Sequence, residues 1–229
     1  MEAATVVLLI AVPIGFNLAF FELGRTFDYP NILREPPGVV LRRFDAGGAA
    51  LLLRWQGLLT SALAMLPLVA LLAVVLGADP ALTITGVVIG SAAALVQVLG
   101  LVRWPFAIPE LARRYVAAGG PQGAATRETI EVVFETLNRL LGVGIGEHLG
   151  YLLTGLWTIL VAISIMSTTV IAPWFGWIGL PIGVALLLGS LEFVGANEKA
   201  GWRFAGTIVP IAYIAWSIWL IGLGIGLIL

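Results

Sequence analysis

Glu147 and His148 stand side by side near the start of a long apolar run, and Tyr151 follows at helical spacing from both. Positions three and four apart share a helix face, so the Tyr151 hydroxyl can reach either neighbour. Glu147 and His148 lie about 100° apart around a helix. A carboxylate beside an imidazole is a minimal set for proton transfer. Histidine is the side-chain type that titrates near neutral pH of its own accord, and the chain holds only one.

An ionisable side chain at a bilayer centre costs about 3 kcal/mol on insertion scales and less toward the interface, so such groups face one another rather than lipid. Glu22, Arg54, Arg103, Glu147, His148 and Glu192 are all expected at the same end of the membrane, contributed by five different spans, with Asn17 and Gln97 deeper. Three uses of this polar layer are open. In the first it is a structural network, Arg54 and Arg103 neutralising Glu22, Glu147 and Glu192. In the second it is a site for a polar head group or small molecule, bounded by Glu147, His148, Tyr151, Arg103, Arg54, Glu192 and Glu22. In the third, Glu147 and His148 are the acid–base pair of a membrane enzyme, with Arg103 or Arg54 stabilising an anion.

Other chemistries find no support. With no cysteine there is no disulfide, thiolate nucleophile or cysteine metal site. One histidine, with no Glu-x-x-His spacing, gives no metal site and no two-histidine haem, and no cofactor is implied. No phosphate loop, dinucleotide fingerprint or serine elbow occurs. A net charge of −1 without a basic domain or tail speaks against nucleic acid as a partner.

The elements that must position these residues are membrane helices. Sixty per cent of residues are hydrophobic and 11% charged, against roughly a quarter charged in a soluble domain. About 20 apolar residues cross the roughly 30 Å of hydrocarbon as helix. The expected fold is therefore an all-α integral membrane protein of one domain over residues 1–229, with six transmembrane helices at about 4–23, 49–76, 82–104, 142–167, 177–194 and 205–229. The first run lacks a basic flank and a cleavage site, and reads as a retained span rather than a signal peptide. Amphipathic segments at about 30–45, 108–118 and 126–141 are expected to lie at the interface, with Thr126 capping the last of them.

Charge then sets orientation. All 12 Lys and Arg residues fall in or beside the connections after the first, third and fifth spans, and the opposite turns carry none. The positive-inside rule places those connections in the cytoplasm and both termini outside. Arg54-Trp55, Arg103-Trp104 and Trp202-Arg203 fall near the inner boundary and read as interfacial anchors. Gly142, Gly146, Gly150 and Thr154 line one helix face as a small-residue seam, with comparable pairs at Gly86/Gly90, Gly179/Gly183 and Gly222/Gly226.

Several segments in combination resemble the bacterial domain-of-unknown-function 4386 family. They are Phe27-Asp28-Tyr29-Pro30 with Ile32-Leu33-Arg34, Arg43-Phe44 with Gly47-Gly48, and Gly146-Glu147-His148-Leu149-Gly150-Tyr151 with Thr154-Gly155-Leu156-Trp157-Thr158. The likeness extends through Trp174, Gly176-Trp177-Ile178-Gly179 and Trp216-Ser217 to Trp219-Leu220, nearly the whole chain. The resemblance implies a small polytopic bacterial membrane protein and supplies no catalytic residues.

The expectation is a module of the inner membrane that binds or moves a lipid or small amphiphile at the inner-leaflet polar layer. Membrane lipids are its environment, and a homo-oligomer or a membrane partner stays open. An accessory or scaffold subunit is the alternative; it would show a fully paired polar layer without a cavity. The membrane enzyme is the third reading.

Overall fold

The computed structural model describes residues 1–229 and consists of helices joined by short turns, without a strand. In order these are α1 (Glu2–Phe27), a 3-10 turn at Asn31–Arg34, α2 (Pro37–Leu63), α3 (Met65–Leu76), α4 (Pro80–Leu101), α5 (Arg103–Phe106) and α6 (Ile108–Ala117). Then follow α7 (Gly123–Leu137), a π-helical segment (Asn138–Leu149), α8 (Gly150–Met166), α9 (Trp174–Gly189), a 3-10 turn at Gly195–Asn197 and α10 (Arg203–Gly226).

Five continuous helical stretches are long and apolar enough to cross a membrane: α1, Pro37–Leu76, Pro80–Ala117, Gly123–Met166 and α10. The sixth apolar helix, α9, has only 16 residues. The chain is thus an all-helical, multi-pass membrane protein.

Local chemistry explains the breaks. Gly48 adopts φ 53° and ψ −150°, a conformation open to glycine, and kinks α2. The part before the kink buries Val40, Leu41 and Phe44. Asp79 caps α4 by accepting a hydrogen bond from the Ala81 N–H at 2.9 Å, with Pro80 in the first turn. Helix α7 starts at Gly123, ahead of the expected cap, and the Thr126 hydroxyl donates to the Gln122 carbonyl at 3.1 Å. The cap expected at Thr126 is therefore not formed, because the helix already includes that residue.

Two apolar clusters organise the bundle. One runs through its middle, around Leu68, Leu72, Trp157, Leu186, Trp216 and Leu220. The other sits at the basic end, where Phe27, Phe44, Trp55 and Trp104 meet Ile108 and Phe134. Trp55 and Trp104 stack with ring centroids 4.2 Å apart and planes 6° from parallel. Both are fully buried, and Arg103 is 5% exposed. The interfacial-anchor reading of these two pairs is corrected: their rings join α2 to α5 inside the protein, because the kinked start of α2 and α6 cover the bundle end.

Small residues set the closest approaches. A Cβ on Gly155 would lie 2.7 Å from the Gly183 carbonyl oxygen, so α8 and α9 meet backbone to backbone. A Cβ on Gly100 would lie 2.6 Å from the Cα of Gly146, which brings α4 against the π segment. Gly86 has nothing within 4 Å and belongs to no seam. Deeper polar groups are paired across helices. Asn17 donates to the Ser217 hydroxyl at 2.8 Å, Gln97 to the Thr154 hydroxyl at 2.9 Å, and the Trp216 indole to the Thr158 hydroxyl at 3.0 Å.

Candidate functional site

The π segment carries the residues of most chemical interest. Its i→i+5 bonding is rare beyond single bulges and recurs at functional sites. Gly142 and Gly146 let neighbours close on the segment: a Cβ on Gly142 would lie 2.7 Å from the Arg103 guanidinium, and one on Gly146 3.3 Å from the Cα of Gly100. Opposite stands the end of α9, whose last carbonyls have no partner within their own helix.

His148 supplies one. Its Nδ1 lies 2.6 Å from the Ser190 carbonyl oxygen. A carbonyl only accepts, so Nδ1 carries the hydrogen; of the two neutral tautomers only the Nδ1–H form fits, and in it Nε2 is an acceptor. Between these two elements lies a cavity of about 170 Å³. Arg139, Glu147, His148 and Tyr151 form one wall; Ser190, Glu192 and Phe193 form the other, and the cavity is partly open to the outside.

Glu147 borders this space, half-buried, and its carboxylate makes no hydrogen bond or ion pair to any other residue. Arg139, the one guanidinium on the wall, is engaged at 2.8 Å by Glu198. Tyr151 packs edge-on to Tyr213, centroids 5.5 Å apart, and hydrogen-bonds to neither Glu147 nor His148.

The expected polar layer therefore divides. Glu147, His148, Tyr151 and Glu192 converge on the cavity. Glu22 and Arg54 form a separate pair 3.6 Å apart, joined by Arg25 at 3.9 Å. Arg103 is buried beside the cavity without lining it. Its Nε donates to Asn138 Oδ1 at 3.2 Å, another guanidinium nitrogen to the Gly100 carbonyl, and its head lies over the Trp104 ring.

Beneath this site Tyr29 packs edge-on against Trp55, centroids 4.9 Å apart. Burial pushes its hydroxyl up to about 12, with Glu147 adding to the rise and Arg103 opposing it.

Sequence reasoning missed Arg139, Ser190 and Phe193 as cavity walls. Arg139, Val143 and Glu147 stand four apart, the same spacing that marks the Gly142 seam, so a helical reading of Glu147 points to Arg139 as well. Ser190 and Phe193 lie where the chain leaves helix, and no periodicity marks them.

A family model described as Domain of unknown function (DUF4386) matches residues 4–224, nearly the whole chain. No curated protein and no solved structure matches it.

Proposed function

We propose that this chain, which belongs to the DUF4386 family, is a binding protein that holds a lipid or small amphiphile by its head group in the Glu147–His148 cavity. The observation that carries the reading is Glu147: a half-buried carboxylate that faces a cavity and has no partner in the protein. An unpaired ionisable group at membrane depth is costly, and a bound head group offsets that cost. A fully paired scaffold would leave no such carboxylate without a partner.

The topology that goes with this role has six crossings, α9 being the fifth, both termini outside and the basic end in the cytoplasm. The cavity then opens at the inner leaflet. Arg54 and Arg103, the anion stabilisers that acid–base catalysis would use, are committed to Glu22 and to Gly100 with Asn138, which favours binding over chemistry. The accessory-subunit reading draws on one feature, an apolar groove of about 880 Å³ between α9 and α10, lined by Trp174, Ile178 and Ile218 among others.

Native mass spectrometry of the detergent-extracted protein tests the reading, beside Glu147→Gln, His148→Ala and Gly144→Leu. Gly144 lines the cavity, and the nearest atom to a Cβ there is 3.6 Å away, so leucine fills the space without forcing the backbone. A co-purifying small molecule or lipid is expected on the wild type and lost from the variants. Identical bound masses on all four proteins would overturn the proposal in favour of the accessory role.

A further inference from the structure

We infer that the head group taken by this cavity is a cationic amine, a primary ammonium on an apolar chain. The inference rests on the binding role proposed above and adds a ligand class to it.

Acceptors dominate the lining. Glu147 and Glu192 both line the same space. His148 commits its Nδ1 hydrogen to Ser190, and in the neutral tautomer that fits this bond Nε2 is an acceptor. The cation on the wall, Arg139, is held by Glu198 at 2.8 Å, and Arg103 donates to Gly100 and Asn138 outside the lining. Beyond Arg139, which Glu198 engages, the lining offers no cationic donor. A primary ammonium is compact and brings three hydrogen-bond donors.

Competing ligands fit worse. A phosphate or carboxylate head would meet two carboxylates without an uncommitted guanidinium to offset them. No three His, Asp or Glu side chains are placed to hold a metal ion together. Size agrees as well, because about 170 Å³ suits a head group rather than a whole lipid. Val143, Phe193 and Val194 give apolar surface to the first carbons of a chain leaving through the open side.

The test uses three single-chain probes of equal length in neutral maltoside micelles: dodecylamine, dodecanol and dodecyl phosphate. Thermal unfolding of the full chain is followed as each is titrated, for the wild type, Glu147→Gln, Glu192→Gln and Gly144→Leu. Dodecylamine alone is expected to raise Tm saturably, with an apparent Kd weakened about tenfold or more by Glu147→Gln. Dodecanol or dodecyl phosphate matching dodecylamine would overturn the amine assignment. So would a dodecylamine response unchanged in both glutamine variants. Gly144→Leu separates the two levels. If it abolishes the response to a non-amine probe, the cavity binds amphiphiles of another class; if it alters no response, the binding role fails too. Should Glu147→Gln not fold, Glu192→Gln and Gly144→Leu carry the same comparison.

Discussion

Nδ1 of His148 lies 2.6 Å from the carbonyl oxygen of Ser190, so the imidazole caps the end of α9 from a different part of the chain. The last carbonyls of a helix need partners from outside it, and the negative end of its dipole favours a donor there. His148→Ala removes the donor and leaves the carbonyl of buried Ser190 without it. We expect a loss of about 1–2 kcal/mol in unfolding free energy, measured by thermal denaturation in micelles. His148→Ala matching the wild type in stability would mean water caps α9 equally well.

The seam between α8 and α9 leaves no room for a methyl group. Gly155→Ala would set a Cβ 2.7 Å from the Gly183 carbonyl, and backbone does not yield as a flexible side chain does. A cost of about 1–3 kcal/mol follows from forcing the helices apart. Gly86→Ala is the control, since nothing lies within 4 Å of its Cβ and alanine is the better helix former. Comparing the two melting temperatures checks both at once, and an equal effect would contradict the close approach.

Orientation and the crossing of α9 are decided together by labelling. The chain has no cysteine, so single cysteines report cleanly. Thr169 and Lys199 are both exposed and lie on either side of α9 in sequence. With an impermeant maleimide on intact cells, Thr169→Cys is expected to react and Lys199→Cys to react only after permeabilisation. Reaction of both in intact cells would mean that α9 does not cross, and the reverse pattern would invert the protein.

Alkaline pH should act through Tyr29. Its hydroxyl is raised from 10 to about 12 by burial, so the folded state holds the proton where the unfolded state releases it. The stability contribution is fully present below pH 10 and is lost as pH rises through 12. The wild type minus Tyr29→Phe difference should therefore be flat below pH 10 and move in favour of phenylalanine above it. Chemical denaturation at stepped pH measures this; a flat difference throughout would show that the hydroxyl is hydrated.

Helical membrane character and the placement of Glu147 beside His148 were legible because both rest on local features, apolar run length and adjacency. The rest depends on contacts between distant segments. Trp55 and Trp104 read as anchors because aromatic residues next to arginine favour the interface; only the fold over the bundle end makes them a buried stack. Arg103 and Glu147 fall at similar depth along the sequence, yet Gly100 and Asn138 claim the guanidinium. The π segment has no hydrophobic period that distinguishes it from α-helix.

Sixteen residues make α9 about 24 Å long, some 6 Å short of an average hydrocarbon core. A bilayer answers such hydrophobic mismatch by thinning or by letting water down beside the short element. Backbone outside helix is tolerated at that depth only where protein or a wet cavity satisfies it. The chain past α9, from Ser190 to Val194, meets that condition by walling the Glu147 cavity. In the six-crossing topology proposed above, one flank of this protein then suits a pinched membrane, and residence in thinner bilayers is the expected consequence of the length of a single helix.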